Sequence, residues 1–197
     1  MTGGARHTGN RYGRSEEARL AVLNAADDLV VELGFAAVTV EGIAKAAGVS
    51  KQTIYRWWES KSAILLDVLV DYAEPDLVPR DLGDLRADLL DHARQIVTFL
   101  FDSDEGAVYR ALLGQALIDP AAAAALRTAF EEPQRARDRL PFERARARNE
   151  NVALDEDDVL DRLLGPVYLR ALSGRPSPDS ADLERWVDAA LSSSVHQ

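Results

Sequence analysis

Apolar residues recur at helical spacing along almost the whole chain. From Ser15 to Leu33, the residues Val22, Ala25, Ala26, Leu29, Val30 and Leu33 share one face, and Gly34 stands where a left-handed C-terminal cap belongs. That spacing predicts a helix of about five turns. Thr39 is suited to cap a short second helix, Val40 to Ala47, with Ile43, Ala44 and Ala47 turned inward. Gly48 ends it, and Ser50 caps a third helix running to about Trp58. A fourth, Lys61 to about Ala73, places Ile64, Leu65, Val68 and Leu69 on its buried face, and Pro75 with Pro79 marks its end.

The same period continues beyond Pro79. Leu85 to Asp102 carries Leu85, Leu89, Ile96, Phe99 and Leu100, and Glu105 to Ile118 carries Val108, Leu112, Leu113 and Leu117. Asp119-Pro120, a cap followed by Pro at the first helical position, opens a helix to about Phe130. Pro133 and Pro141 then interrupt the Arg-rich stretch Gln134 to Arg148, which reads as a solvated helix face paired with Glu131, Glu132, Asp138 and Glu143 rather than as a nucleic-acid surface. The acidic run Asp155 to Asp158 has no Gly to turn a calcium loop and fits the first turn of a helix. That helix, Asp157 to Leu172, is apolar on more than one face, and Gly165-Pro166 predicts a kink in it. A last helix runs from Asp179 to about Ser193. The fold class is all-α, with about nine helices.

Composition narrows the chemistry. The 197 residues include no Cys, which excludes a disulfide scaffold, a thiolate zinc site and a cysteine nucleophile, and suits a reducing compartment. No apolar run approaches the ~20 residues of a membrane helix, and residues 1–12 lack the apolar stretch of a signal peptide, so the expected location is the cytoplasm, without a membrane partner. Nucleotide-binding glycine loops, nucleophile elbows and zinc-protease signatures are all missing, so neither an enzyme nor a cofactor nor a metal is implied. Asp88 and His92, one helical turn apart, read as an exposed salt-bridged pair.

The net charge of −10 argues against nucleic acid until it is located. Residues 1–62 hold eight basic and seven acidic side chains, so the remainder carries a net −11. All three lysines, Lys45, Lys51 and Lys61, fall in that first part. Two short helices joined by the turn Gly48-Val49-Ser50, the second polar and basic, form a helix-turn-helix pattern whose second helix enters the major groove. An ordinary α-hairpin has the same spacing, but here only Val49, Ile54 and Trp58 are needed for packing. A purely protein-binding helical adaptor leaves the polar face from Lys51 to Trp57 unused.

Thr39-Val40-Glu41-Gly42-Ile43-Ala44, then Ala47-Gly48-Val49-Ser50, then Thr53-Ile54-Tyr55-Arg56-Trp57-Trp58 and Lys61 together resemble the N-terminal signature of TetR-type transcriptional regulators. The resemblance runs from about Ser15 to Val70, and the segment from Leu112 to Leu191 is more weakly similar to one C-terminal subtype of that family. It implies a homodimer, a near-palindromic double-stranded DNA operator, repression as the usual outcome, and a C-terminal domain that senses a small molecule. The domains are then 1–60, binding DNA, and 61–197, sensing ligand and dimerising.

Carried over by position, Ser50, Lys51, Gln52, Thr53, Tyr55, Arg56 and Trp57 are the groove-facing set, with Thr39 and Lys61 holding phosphates from the flanks. Trp57 stands where members more often have His or Tyr; Trp58 stands where Phe is often seen and is expected in the core. The chemistry agrees: Lys51 and Arg56 reach guanine or phosphate, Gln52 suits adenine, and Thr53 offers thymine a methyl. Thr39 and Ser50 are also simple caps, and both roles are compatible. Arg6, Arg11 and Arg14 lie in a Gly-rich tail that either enters a minor groove or stays disordered. A pocket for a small apolar or aromatic ligand is expected around Phe99, Leu113, Leu117 and Tyr168, although the same residues also suit a filled core. The wide apolar stripes of the last two helices point to a dimer interface at Leu164, Val167, Leu183, Trp186, Val187 and Ala190.

Overall fold

The computed structural model describes residues 9–73, 77–150 and 154–192, and among these every regular element is helical. The chain forms two compact units that divide between Val68 and Leu69. The division lies inside the fourth helix.

The N-terminal unit comprises α1 (Gly9–Leu33), α2 (Val40–Ala46), α3 (Lys51–Tyr55) and the first turns of α4 (Lys61–Ala73). Helix α1 begins at Gly9, earlier than the apolar period reveals, because residues 9–14 have no apolar stripe to betray a helix. The backbone of Arg11 and Arg14 is therefore helical, while their side chains and all of Arg6 lie outside the described residues. Gly34 ends α1 at φ +75° and Gly48 ends α2 at φ +67°, conformations that favour glycine. The core joins Val22, Leu23, Ala26 and Val30 of α1 to Ile43, Ile54, Trp58 and Ile64. At five residues α3 is far too short to persist alone. The Ser50 cap and full burial of Ile54, worth about 1.5–3 kcal/mol, hold it in place.

The C-terminal unit is built on α5 (Leu85–Asp102), which packs against α6 (Asp104–Ala116), α9 (Leu140–Ala147), α10 (Glu156–Leu172) and α11 (Ser180–Ser192). Between α6 and α9 run α7 (Pro120–Leu126), a π-helical turn (Arg127–Glu131) and α8 (Glu132–Asp138). Counted as one run from α7 to α9, these leave nine helices among the described residues. Pro133 does not interrupt the helix here. The preceding π turn, closed by the Glu132 amide on the Arg127 carbonyl, absorbs the bond and the space that proline denies an α-helix. Pro166 likewise stands within the continuous α10.

Several side chains of this unit differ from expectation. Leu164, Val167, Leu183, Val187 and Ala190 are buried within the protomer, because α10 and α11 cover each other and both cover α5. A wide stripe meant two intramolecular neighbours, so these five are not a dimer surface. Trp186 is half-buried beneath the Arg170 guanidinium, 5.3 Å from its ring centre. The apolar side chains that α10 does expose are Leu169 and Leu172, at 59% and 49%. Asp88 and His92 are fully buried rather than exposed, and they do not pair. Asp88 accepts from the Leu82 amide at 2.6 Å and from Arg148, while His92 Nε2 is 2.8 Å from Asp138. The arginines of 134–148 are paired, but mainly with acids from other elements: Arg135 and Arg139 with Asp157, Arg146 with Glu156, and Arg148 with Asp81, Asp88 and Glu150. Asp155 caps α10 by accepting from the Asp158 amide, and the acids after it fill the first turn.

Candidate nucleic-acid interface and ligand pocket

Two caps set the pose of the helix-turn-helix. The Thr39 hydroxyl accepts from the Gly42 amide at 3.0 Å, and the Ser50 hydroxyl accepts from the Thr53 amide at 3.1 Å. Space at Gly42 is tight: a Cβ there would come within 3.3 Å of the Thr39 side-chain oxygen and 3.8 Å of Leu29, where α2 lies on α1. With Ile54 and Trp58 drawn into the core, Lys51, Gln52, Tyr55 and Arg56 are left exposed and Thr53 half-exposed.

The groove-facing set is braced from within. Trp58 donates its indole N–H to Asp67 at 2.7 Å, and Trp57 stands edge-on to Trp58 with ring centres 5.4 Å apart. The Arg56 guanidinium lies over Trp57, 5.0 Å from its centre. Trp57 is thus a half-buried platform for Arg56. Lys51 bonds Glu41, a pairing that sequence reading missed because ten positions separate them; the bond holds the Glu41 carboxyl below its ordinary range. The Glu41 bond occupies one of the three Lys51 N–H donors and leaves two for a phosphate.

Lys61 differs most from its expected role. Its ammonium donates to the carbonyls of Phe35 and Val38 at 2.7 and 3.0 Å and lies 4.1 Å from the Phe35 ring centre. Two of its three N–H bonds therefore tie the α1–α2 connection to α4, leaving at most one for a phosphate. Lys61→Met, which keeps the stem and removes the donors, is expected to cost about 1.5–3 kcal/mol in urea denaturation. An unchanged unfolding midpoint would show that the staple carries no stability.

Residues 22–68 match the family model of bacterial regulatory proteins of the tetR family, and residues 79–190 match that of the tetracyclin repressor-like C-terminal domain. The chain belongs to the TetR family of transcriptional regulators. It is 38% identical over 160 residues to the uncharacterized HTH-type transcriptional regulator YdeS of Bacillus subtilis, covering 81% of this chain and 80% of YdeS. The crystal structure of the TetR family regulator SCO0332 is 34% identical and superposes with a TM-score of 0.73, covering 89% of this chain and 97% of the other. The flavonoid-responsive regulator FrrA is 29% identical, with a TM-score of 0.63 over 91% of this chain and 94% of FrrA. Membership makes the protein a transcriptional regulator with a DNA-binding helix-turn-helix, not an enzyme. Among the described residues no helix is long and apolar enough to cross a membrane.

In this TetR-type protein the C-terminal unit holds a pocket of about 410 Å³ between α6, the π turn, α8 and α10. Tyr168 lines it together with Tyr109, Phe130 and Leu164. Phe99 does not reach it: buried, it packs against Tyr109 and Phe130 from behind, with ring centres 5.7 and 6.3 Å away. Leu113 is half-buried outside the lining, and Leu117, the residue that ends α6, is 83% exposed. The wall is also less apolar than those positions imply, because Glu131, Gln134, Arg135 and Asp138 belong to it. Burial pushes both Tyr109 and Tyr168 upward in pKa, reinforced by nearby Glu131 and Asp138, so both are neutral phenols at physiological pH.

Proposed function

We propose that the protein is a homodimeric repressor that binds a near-palindromic double-stranded operator through α3 of each protomer and is released when a small molecule fills the pocket of the C-terminal unit. The observation that carries this reading is the exposed polar face of α3, held on a rigid mount that uses only Ile54 and Trp58 for packing. Gln52, Thr53 and Arg56 read base edges. Lys51, Tyr55 and the capping residues Thr39 and Ser50 position the helix on phosphates, while Trp57 holds Arg56 and Lys61 shapes the mount.

One short helix spans only a few base pairs, so specific affinity calls for two half-sites and hence for a dimer. The exposed Leu169 and Leu172 of α10, with Gly165 beside them leaving open space, are the surface we assign to it. Such a regulator works beside the chromosome in the cytoplasm and needs no cofactor. A ligand-sensing pocket is in keeping with the flavonoid response named for FrrA.

The test is binding to DNA from the protein's own upstream region, followed by fluorescence anisotropy. Tyr55→Phe deletes one hydroxyl and keeps the ring. It is expected to weaken binding by roughly 0.5–1.5 kcal/mol per contact, equally for specific and non-specific duplexes. Unaltered affinity for both would remove Tyr55 from the phosphate contacts.

A further inference from the structure

We propose that the pocket of the C-terminal unit selects an organic cation: a protonated amine carried on an aromatic body. The proposal rests on the ligand-sensing reading above and adds the charge of what is sensed.

The lining contains four carboxylates, Glu131, Glu132, Asp138 and Asp161, against a single guanidinium, Arg135. That guanidinium is already committed, bonding Asp161 at 2.6 Å and Asp157 at 3.0 Å. Glu132 faces Arg127 at 3.5 Å. Two carboxylates remain without a permanent cation among the described residues. Glu131 receives only the Tyr109 hydroxyl, at 3.2 Å. Asp138, 95% buried, uses Oδ1 to accept from Gln134 at 2.7 Å and to meet His92 at 2.8 Å; neither bond uses its Oδ2.

The carboxylates stand beside aromatic surface. Tyr109 lies 5.3 Å from Phe130 and 6.2 Å from Tyr168, centre to centre, so three rings border one space. Ring faces are negative and attract a cation, as do the carboxylates. An anionic ligand would meet repulsion from Glu131 and Asp138, and a purely apolar one would leave both carboxylates desolvated and unmatched. Neutral donors match the acceptors but not the charge. The π turn that precedes Pro133 supplies Phe130 and Glu131 together, one ring and one carboxylate. Burial is the main cause of the upward pull on both phenols, and Glu131 and Asp138 add a negative field at each.

Three probes of one shape test this by calorimetric titration of the full-length protein: biphenyl-4-methylamine, biphenyl-4-methanol and biphenyl-4-carboxylate. The amine is expected to bind at least about tenfold tighter than the alcohol, and the carboxylate weakest. Glu131→Gln is expected to weaken the amine more than the alcohol and so to narrow the gap between them, which separates a local contact from the attraction of a protein of net charge −10. Equal binding of amine and alcohol, a preference for the carboxylate, or an amine preference that survives in both Glu131→Gln and Asp138→Asn would overturn the cation while sparing the sensor. Failure of all three probes to bind would count against both.

Discussion

Gly106→Ala will cost the C-terminal unit more stability than alanine at any of its other described glycines, where an added Cβ meets nothing within 4 Å. A Cβ at Gly106 would sit 1.7 Å from the carbonyl oxygen of Phe99 and 2.7 Å from its carbonyl carbon, both backbone atoms that no rotamer change can move. Glycine is there because α6 starts against the last turn of α5, with Ser103 bonding both the Phe99 carbonyl and the Gly106 amide. Relief requires α5 and α6 to separate at the place where Phe99, Tyr109 and Phe130 pack. Overpacking usually costs about 1–3 kcal/mol; a backbone collision of this depth belongs above that range. The expected result in urea is a sharply lowered midpoint for the unit, or no folded unit at all. A loss below about 1 kcal/mol would mean that α6 leaves α5 with little resistance.

Leu169→Glu should dissolve the proposed dimer without harming the protomer. The side chain is 59% exposed on α10, so the substitution is expected within about 0.5 kcal/mol of neutral for folding. Across a symmetric contact the same change buries two like charges, one from each copy. Sedimentation should report a monomer with unchanged helical circular dichroism, and operator affinity should fall at least about a hundredfold as one half-site is lost. A variant that stays dimeric and binds normally would move the interface off this face of α10.

The contrast between Leu169 and Val167 shows where sequence reading stops. Periodicity found α10 and ranked its residues by polarity, but it reports only that a stripe is covered, not whether the cover comes from the same chain. Here α5 and α11 supply it, and the leftover leucines were the informative ones. Local chemistry was far more legible: Thr39, Ser50 and Asp119 are all observed as N-caps, since a cap needs only amides within its own turn. Long-range polar pairing was not. The bonds of Lys61 to Phe35 and Val38, of Lys51 to Glu41, and of His92 to Asp138 join residues that only the fold brings together. Pro133 misled for the opposite reason. It forbids an α-helical bond but not a π turn before it, and that turn builds one wall of the pocket.

The central claim, that α3 is the helix that reads DNA, meets its most direct test in footprinting and anisotropy on the duplex upstream of the protein's own gene. Wild-type protein should protect two symmetry-related half-sites about one helical turn apart. Arg56→Ala, which removes the guanidinium mounted on Trp57 and leaves the core intact, should weaken that binding by about 1–3 kcal/mol and relax preference at one position of each half-site. Protection of no discrete sequence, or an Arg56→Ala protein that binds and discriminates like wild type even when combined with Gln52→Ala, would contradict the account.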